Sequence, residues 1–168
     1  MTDTAAAQMN ADPARELLRH ALATLAYRGG KAVRNAPASF ANFKPSATSR
    51  TPVQIVAHVG DLMDCALSIA QGAEKWNNST PLAWDEEIAR LYKSLNSFDE
   101  FLGSSQSLHA PVTKLLQGPV ADALTHVGQI SMLRRIAGAQ IRGESYFRAE
   151  IVTGRVGPEQ AQPKREFD

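Results

Sequence analysis

Cysteine is nearly absent from this chain, with Cys65 as the single example in 168 residues. One thiol excludes an internal disulfide framework and a zinc site built from several cysteine thiolates. Charge of one sign is also scarce, because 18 Lys and Arg face 17 Asp and Glu and leave a formal charge of +1. This balance argues against a dedicated nucleic-acid binder, whose affinity comes from neutralising many phosphates. We therefore expect no nucleic-acid partner.

Long apolar runs are missing as well. No stretch approaches the roughly 18 apolar residues of a membrane span, and residues 1–11 lack the apolar core and basic flank of a secretion signal. We therefore expect a cytoplasmic protein with no membrane partner. Hydrophobic residues at 43% and charged residues at 21% are ordinary for a globular chain. We expect one domain over residues 1–168, with residues 1–11 and 155–168 as flexible tails.

Helical periodicity is what the sequence does contain. Four segments repeat apolar residues at spacings of three and four, and they run from Asp12 to about Arg34, from Thr51 to near Gly72, from Trp84 to about Gly103, and from Gly118-Pro119 to about residues 138–143. Residues 35–50 form a long first crossover, and residues 144–152 are predicted as a short C-terminal helical segment. No segment alternates as a strand does. An all-α four-helix bundle is the simplest way to bury four such stripes.

Two of the four histidines fall on apolar helix stripes. His58 follows Ile55 by three residues on the second helix, and His126 follows Ala123 by three residues on the fourth. A buried imidazole needs hydrogen-bond partners, because an unpaired buried polar group costs about 1–3 kcal/mol. Histidines on two facing helices could meet this need by sharing a metal ion. The alternative is an ordinary core histidine that protein groups satisfy.

Asp122 adds an oxygen donor, because it precedes His126 by four residues and so lies one turn away on the same helix face. With His58 it completes a set of two histidines and one carboxylate, which leaves coordination positions open as catalytic zinc and non-haem iron sites do. The alternative for Asp122 is an acid favoured by the helix dipole. Asp61 is a further candidate, to orient His58, to bind the ion if Asp122 does not, or to act as a base. Its alternative is a solvated surface aspartate.

The two other histidines and one arginine pair are weaker candidates for a functional role. His20 and His109 have no partner at helical spacing, so we expect both at the surface. Arg134-Arg135 follows the stretch of the fourth helix that carries Asp122 and His126, and this pair is a candidate to hold an anionic substrate. The alternative for this pair is a helix surface that is partly solvated and partly salt-bridged.

Three stretches resemble the DinB/YfiT-like superfamily: TPVQIVAHVGDL from Thr51 to Leu62, THVGQISMLRR from Thr125 to Arg135, and SYFRAEI from Ser145 to Ile151. The resemblance runs from the first helix to about Gly154. It implies a four-helix bundle, often a homodimer, that binds a divalent metal through one histidine of the second helix and a His-x-x-x-His pair of the last long helix.

On this resemblance, His58 matches the ligand of the second helix and His126 matches the second histidine of the pair. Asp122 stands where the family has the first histidine of the pair. A carboxylate there suits zinc, nickel or iron and shifts the preference towards harder ions such as manganese.

The resemblance implies metal-dependent hydrolase or thiol-transferase chemistry on a small molecule, in the second case with a low-molecular-weight thiol as co-substrate. The metal would activate water or the thiol. The alternative is a non-catalytic stress-response or binding protein, in which His58, Asp122 and His126 form a polar network with a structural ion or none.

Overall fold

A computed structural model describes residues 12–167, and helices dominate it. In chain order they are α1 Pro13–Val33, α2 Pro52–Ala70, α3 Trp84–Gly103, α4 Val112–Leu115 and α5 Ala121–Ile136. The four long helices have 16 to 21 residues each. They lie within a few residues of the periodic segments of the sequence. The predicted all-α class is therefore confirmed.

Local sequence explains where α1 and α2 begin. Asp12 caps α1, since its carboxylate accepts a hydrogen bond from the amide of Ala14 at 3.0 Å. Thr51 and Gln54 form a capping box at α2: each side chain accepts a hydrogen bond from the backbone amide of the other. These bonds satisfy amides that the first helical turn leaves unpaired. The cap fixes the start of the helix that carries His58.

The last long helix is preceded by an irregular turn. α4 runs into a π-helical turn, Leu116–Val120, and α5 continues directly from it. Pro119 lies inside this turn, and Gly118 has non-helical dihedral angles, with φ −89° and ψ −105°. Gly118 therefore breaks the helical backbone between α4 and α5, and Pro119, which has no N–H to donate, follows this break as proline commonly does at the start of a helix. The start of a new helix predicted at Gly118-Pro119 is confirmed.

The helices meet in one apolar core. Each of α1 and α2 packs against both α3 and α5, and the contact between α2 and α3 is the most extensive. The largest fully buried side chains include Leu18, Leu22, Leu25, Val56, Met63, Leu95, Phe98, Leu102, Leu115 and Ile130. Each such side chain contributes about 1.5–3 kcal/mol by its burial. In the crossover, Phe40 is buried and packs edge to face on Trp84, with ring centroids 5.9 Å apart.

Among the residues described, α2 is the one helix long and apolar enough to cross a membrane by length and composition. However, 67% of its apolar window is buried inside the protein. Packing against α3 and α5 therefore accounts for its apolar character, as is usual for the core helix of a helical protein.

The C-terminal segment is fastened to α1 by a buried polar network. Strand β1, Gly143–Glu144, pairs antiparallel with strand β2, Glu166–Phe167. The Glu144 carboxylate accepts hydrogen bonds from the Tyr27 hydroxyl at 2.6 Å and from Lys31 Nζ at 2.7 Å. Lys31 also donates to Glu166 at 2.7 Å, so one cation joins both strands to α1.

The short helical segment predicted over residues 144–152 is a single 3-10 turn, Tyr146–Arg148. Of the two predicted tails, residues 1–11 lie outside the described residues. The second contains Val156, which is buried in the core, and ends in β2.

Candidate metal centre

The packing of α2 against α5 brings His58, Asp122 and His126 together. One donor atom from each side chain lies within 4.8 Å of the other two. The Asp122 carboxylate lies 3.8 Å from Nε2 of His58 and 3.4 Å from Nε2 of His126. The two imidazole rings meet edge to face, with centroids 4.7 Å apart. The three residues that helical spacing combined into one ligand set therefore form one cluster.

The cluster lies at the edge of the core rather than within it. The buried neighbours of the two histidines in sequence are Ala57 and Val59 on α2 and Val127 on α5. The side chains of His58 and His126 are 17% and 12% exposed, and that of Asp122 is 48% exposed. The donor set is thus supported by the core on one side and open to solvent on the other.

Gln129 orients His126 from the next turn of α5. Nδ1 of His126 lies 2.9 Å from Oε1 of Gln129. Because an amide oxygen can only accept, Nδ1 donates in this contact, and Nε2, beside Asp122, is the ring nitrogen left to bind an ion. A ligating histidine is commonly held in this way by a group on its other nitrogen. Sequence reasoning did not identify Gln129, although its position three residues after His126 was a usable signal.

The surroundings of His58 favour its neutral form. Burial lowers the pKa of His58 below its usual 6.5, and the positive charge of Arg50 and the neighbouring His126 lower it further, against the opposing effect of Asp122 and Asp61. A neutral imidazole is the form that binds a metal ion. The ring of Trp76 also packs edge to face on His58, with centroids 5.6 Å apart.

Asp61 is not the solvated surface residue that the sequence favoured, because it is only 3% exposed. Its carboxylate accepts hydrogen bonds from the amide and hydroxyl of Ser79 at 3.0 and 2.7 Å, and from Nη1 of Arg90 at 3.0 Å. None of these bonds reaches His58. Asp61 therefore ties α2 to α3 and to the segment between them, and no contact supports a role as a base.

Arg134 is also placed differently from the two alternatives considered for it. It is buried, and its guanidinium donates to the carbonyl oxygens of Ala32, Arg34 and Ala139. These bonds hold the ends of α1 and α5 together, so Arg134 is not available to an anionic substrate. His20 and His109 are exposed, as predicted.

Two clefts flank the cluster. The first has a volume of about 390 Å³ and is lined on one side by Arg50, Gln54 and His58, with Asp61 deeper and residues 78–81 opposite. The second, of about 310 Å³, lies between Arg50 and Gln129 and is lined mainly by apolar side chains. Sequence periodicity gave no signal for either cleft, because the crossover and the segment after α2 form much of their walls.

Two imidazoles and a carboxylate at this spacing suit a divalent ion such as zinc, nickel, manganese or iron. This assignment depends on the geometry of the cluster and the chemistry of its donors. No protein-family model, no curated protein and no solved structure matches this chain.

Proposed function

We propose that this protein is a metal-dependent enzyme that acts on a small molecule at the cluster of His58, Asp122 and His126. The observation that carries the proposal is the convergence of three donor atoms, from α2 and α5, to within 4.8 Å of one another. Nothing in the apolar packing of two helices requires two imidazoles and a carboxylate to meet. A shared cation gives the arrangement a physical reason.

We also propose that the chain is a four-helix bundle of the DinB-like type. Support comes from the packing of α1 and α2 against both α3 and α5, and from the long crossover between α1 and α2. The match of His58 and His126 to the family's ligand positions is further support, and Asp122 is the one departure.

The donor set fits a divalent ion. His58 is held neutral by burial, and His126 offers Nε2 because Gln129 engages Nδ1. Asp122 supplies a charged oxygen on the solvent side. A bound divalent ion supplies Lewis-acid chemistry, which lowers the pKa of water or of a thiol so that either reacts at neutral pH. Hydrolysis and thiol transfer are the two reaction types that this chemistry would serve.

Other residues of the chain shape the site. Asp61 and Arg90 hold Ser79 in the wall of the larger cleft, so they position the wall without touching the cluster. Trp76 packs on the ring of His58, with centroids 5.6 Å apart, and so helps to hold that ring in place.

The openness of the cluster argues against a purely structural ion. Structural zinc sites use four protein ligands, whereas catalytic sites use three and leave a position for water or substrate. The described residues provide three donors here, and a cleft opens beside His58. This favours the catalytic proposal over the non-catalytic alternative.

Metal content tests the proposal. The untagged protein is purified and its metals are quantified by mass spectrometry, in parallel with His58→Ala and with His20→Ala as a control at an exposed histidine. We expect a stoichiometric divalent ion in the wild type and in His20→Ala, and its loss in His58→Ala. A wild-type protein that holds no ion after incubation with zinc, nickel or manganese contradicts the proposal. An ion with every coordination position filled by protein supports the structural alternative.

A further inference from the structure

The larger cleft beside the cluster carries one unpaired positive charge, that of Arg50. Arg50 lies just before the cap of α2, is exposed, and lines both clefts that flank the cluster. Its guanidinium has no hydrogen-bond or ion-pair partner among residues 12–167. The other charged group of this wall is Asp61, whose side chain is only 2% exposed and accepts hydrogen bonds from Arg90 and Ser79. Arg50 is therefore the solvent-exposed charge among the residues that line this cleft.

Neutral donors surround this charge. Oε1 of Gln54 is occupied by the amide of Thr51, so its amide nitrogen is the free end of that side chain. Asn78 and Thr80 line the opposite wall, and their side chains have no described partner either. An arginine with adjacent neutral donors is a common arrangement for binding an anion in two-point geometry.

We propose that this cleft binds the carboxylate of a small organic substrate, with Arg50 as the charged partner and Gln54 as a neutral donor. This proposal adds a chemical class of substrate to the proposed function. It rests on that function in one respect, because the reacting end of the same molecule must reach the cluster of His58, Asp122 and His126. The volume of about 390 Å³ lies within the roughly 300–1,000 Å³ of small-molecule sites.

The local backbone favours a carboxylate over a phosphate. Phosphate groups usually bind the free amides of a helix N-terminus, but three of the first four positions of α2, those of Pro52, Gln54 and Ile55, offer no free amide. Pro52 has no N–H, and the amide of Gln54 donates to the Thr51 hydroxyl. One unpaired guanidinium also matches the single charge of a carboxylate better than the higher charge of a phosphate group.

Binding of benzoate to the metal-free full-length chain tests this assignment. The protein is dialysed against the neutral chelator 1,10-phenanthroline and then titrated with benzoate, benzamide and inorganic phosphate while amide resonances are followed by NMR. Removing the metal ensures that the carboxylate is not bound by the ion itself. We expect benzoate to shift the amides of residues 50–54 and 78–80, and neutral benzamide to leave them unchanged.

Two variants isolate the charge. Arg50→Gln is expected to weaken benzoate binding about tenfold, the size of a lost charge-assisted hydrogen bond. Arg148→Gln removes the same charge from an exposed turn that lines neither cleft and is expected to leave benzoate affinity unchanged. Equal shifts with benzamide, an unchanged affinity in Arg50→Gln, or tighter binding of phosphate than of benzoate would overturn the assignment.

Metal content measured on the same preparations separates this proposal from the previous one. Arg50→Gln is expected to keep the wild-type metal content, because Arg50 is not a ligand. If the wild-type protein binds metal but not benzoate, the proposed metal centre stands and the proposed carboxylate subsite is wrong. If it binds benzoate at Arg50 but no metal, the subsite stands and the proposed metal-dependent function is wrong.

Discussion

His58 and His126 meet edge to face, with ring centroids 4.7 Å apart and ring planes at 89°. They come from different helices, and the Nε2 atom of each lies within 4 Å of the Asp122 carboxylate. Two protonated imidazoles at this distance would repel each other, and His126 contributes to the lowered pKa of His58. The surroundings of His58 therefore favour its neutral form, which metal ligation requires.

Replacing Gln129 tests whether its contact with Nδ1 orients the ring of His126. Gln129→Ala removes the acceptor of the Nδ1 proton, so Nε2 is no longer held towards Asp122. We expect metal affinity to fall about 10–100-fold, as for other partners of ligating histidines. Affinity is measured by competition with a chromophoric chelator. Gln129→Glu keeps an acceptor oxygen and is expected to retain near-wild-type affinity; equal affinities in the wild type and Gln129→Ala would contradict a role for Gln129.

Replacing Asp122 tests whether its carboxylate is a metal ligand and sets the preference among metal ions. Asp122→His gives three imidazoles, which favour zinc and nickel over the harder manganese. We expect the ratio of zinc to manganese affinity to rise about tenfold or more, measured by titrating each ion into the metal-free protein. Asp122→Ala is the matched control and is expected to weaken the binding of both ions. If Asp122→Ala binds both ions as the wild type does, Asp122 is not a ligand.

The protonation of His58 makes the metal-free protein less stable in acid. Burial, together with Arg50, lowers the pKa of His58 in the folded protein below the value of 6.5 expected in the unfolded chain. At a pH between the folded and the unfolded pKa, the unfolded chain therefore binds the proton more readily than the folded one. This contribution to stability is present above the unfolded pKa and is lost as pH falls through the folded pKa. The free energy of unfolding, measured by urea denaturation from neutral pH to about pH 5, should fall more steeply with pH for the wild type than for His58→Ala.

The same pKa responds to Arg50. An NMR titration of the imidazole resonances should give a higher pKa for His58 in Arg50→Gln than in the wild type, since a positive charge has been removed. Arg148→Gln serves as the control and should leave the value unchanged. A pKa of His58 at or above 6.5 in the wild type would show that burial does not act on it as described.

The buried bond between Tyr27 and Glu144 anchors the C-terminal segment. Tyr27→Phe removes the hydroxyl that donates to the buried Glu144 carboxylate at 2.6 Å. We expect the free energy of unfolding to fall by about 1.5–3 kcal/mol, the value of a hydrogen bond to a charged group, measured by urea denaturation. Tyr146→Phe removes a hydroxyl with no described partner and should cost less than about 0.5 kcal/mol. Equal losses in the two variants would contradict the anchoring role.

The helices and the cluster were predictable because their signals are local. The caps at Asp12 and Thr51 depend on residues within one turn, and the pairing of Asp122 with His126 depends on the helical repeat. His58 joins them only through tertiary packing, yet its place among the apolar residues of α2 indicated which way it would face.

The remaining features depend on contacts that periodicity does not encode. Asp61 is buried because Arg90 on α3 and Ser79 in the preceding segment compensate its charge, and no spacing links these three residues. Arg134 can be buried because the carbonyl groups at the end of α1 accept hydrogen bonds from its guanidinium. The strands β1 and β2 have two residues each, too few for an alternating pattern to be visible.

Anomalous diffraction at the metal edge is the most direct test of the metal centre. Crystals of the untagged, zinc-loaded protein should give one anomalous peak in contact with Nε2 of His58, Nε2 of His126 and a carboxylate oxygen of Asp122, at about 2.0–2.2 Å from each. At least one further position of the ion should be filled by water or solute. A zinc peak at other residues, with no density between these three side chains, would contradict the proposed metal centre.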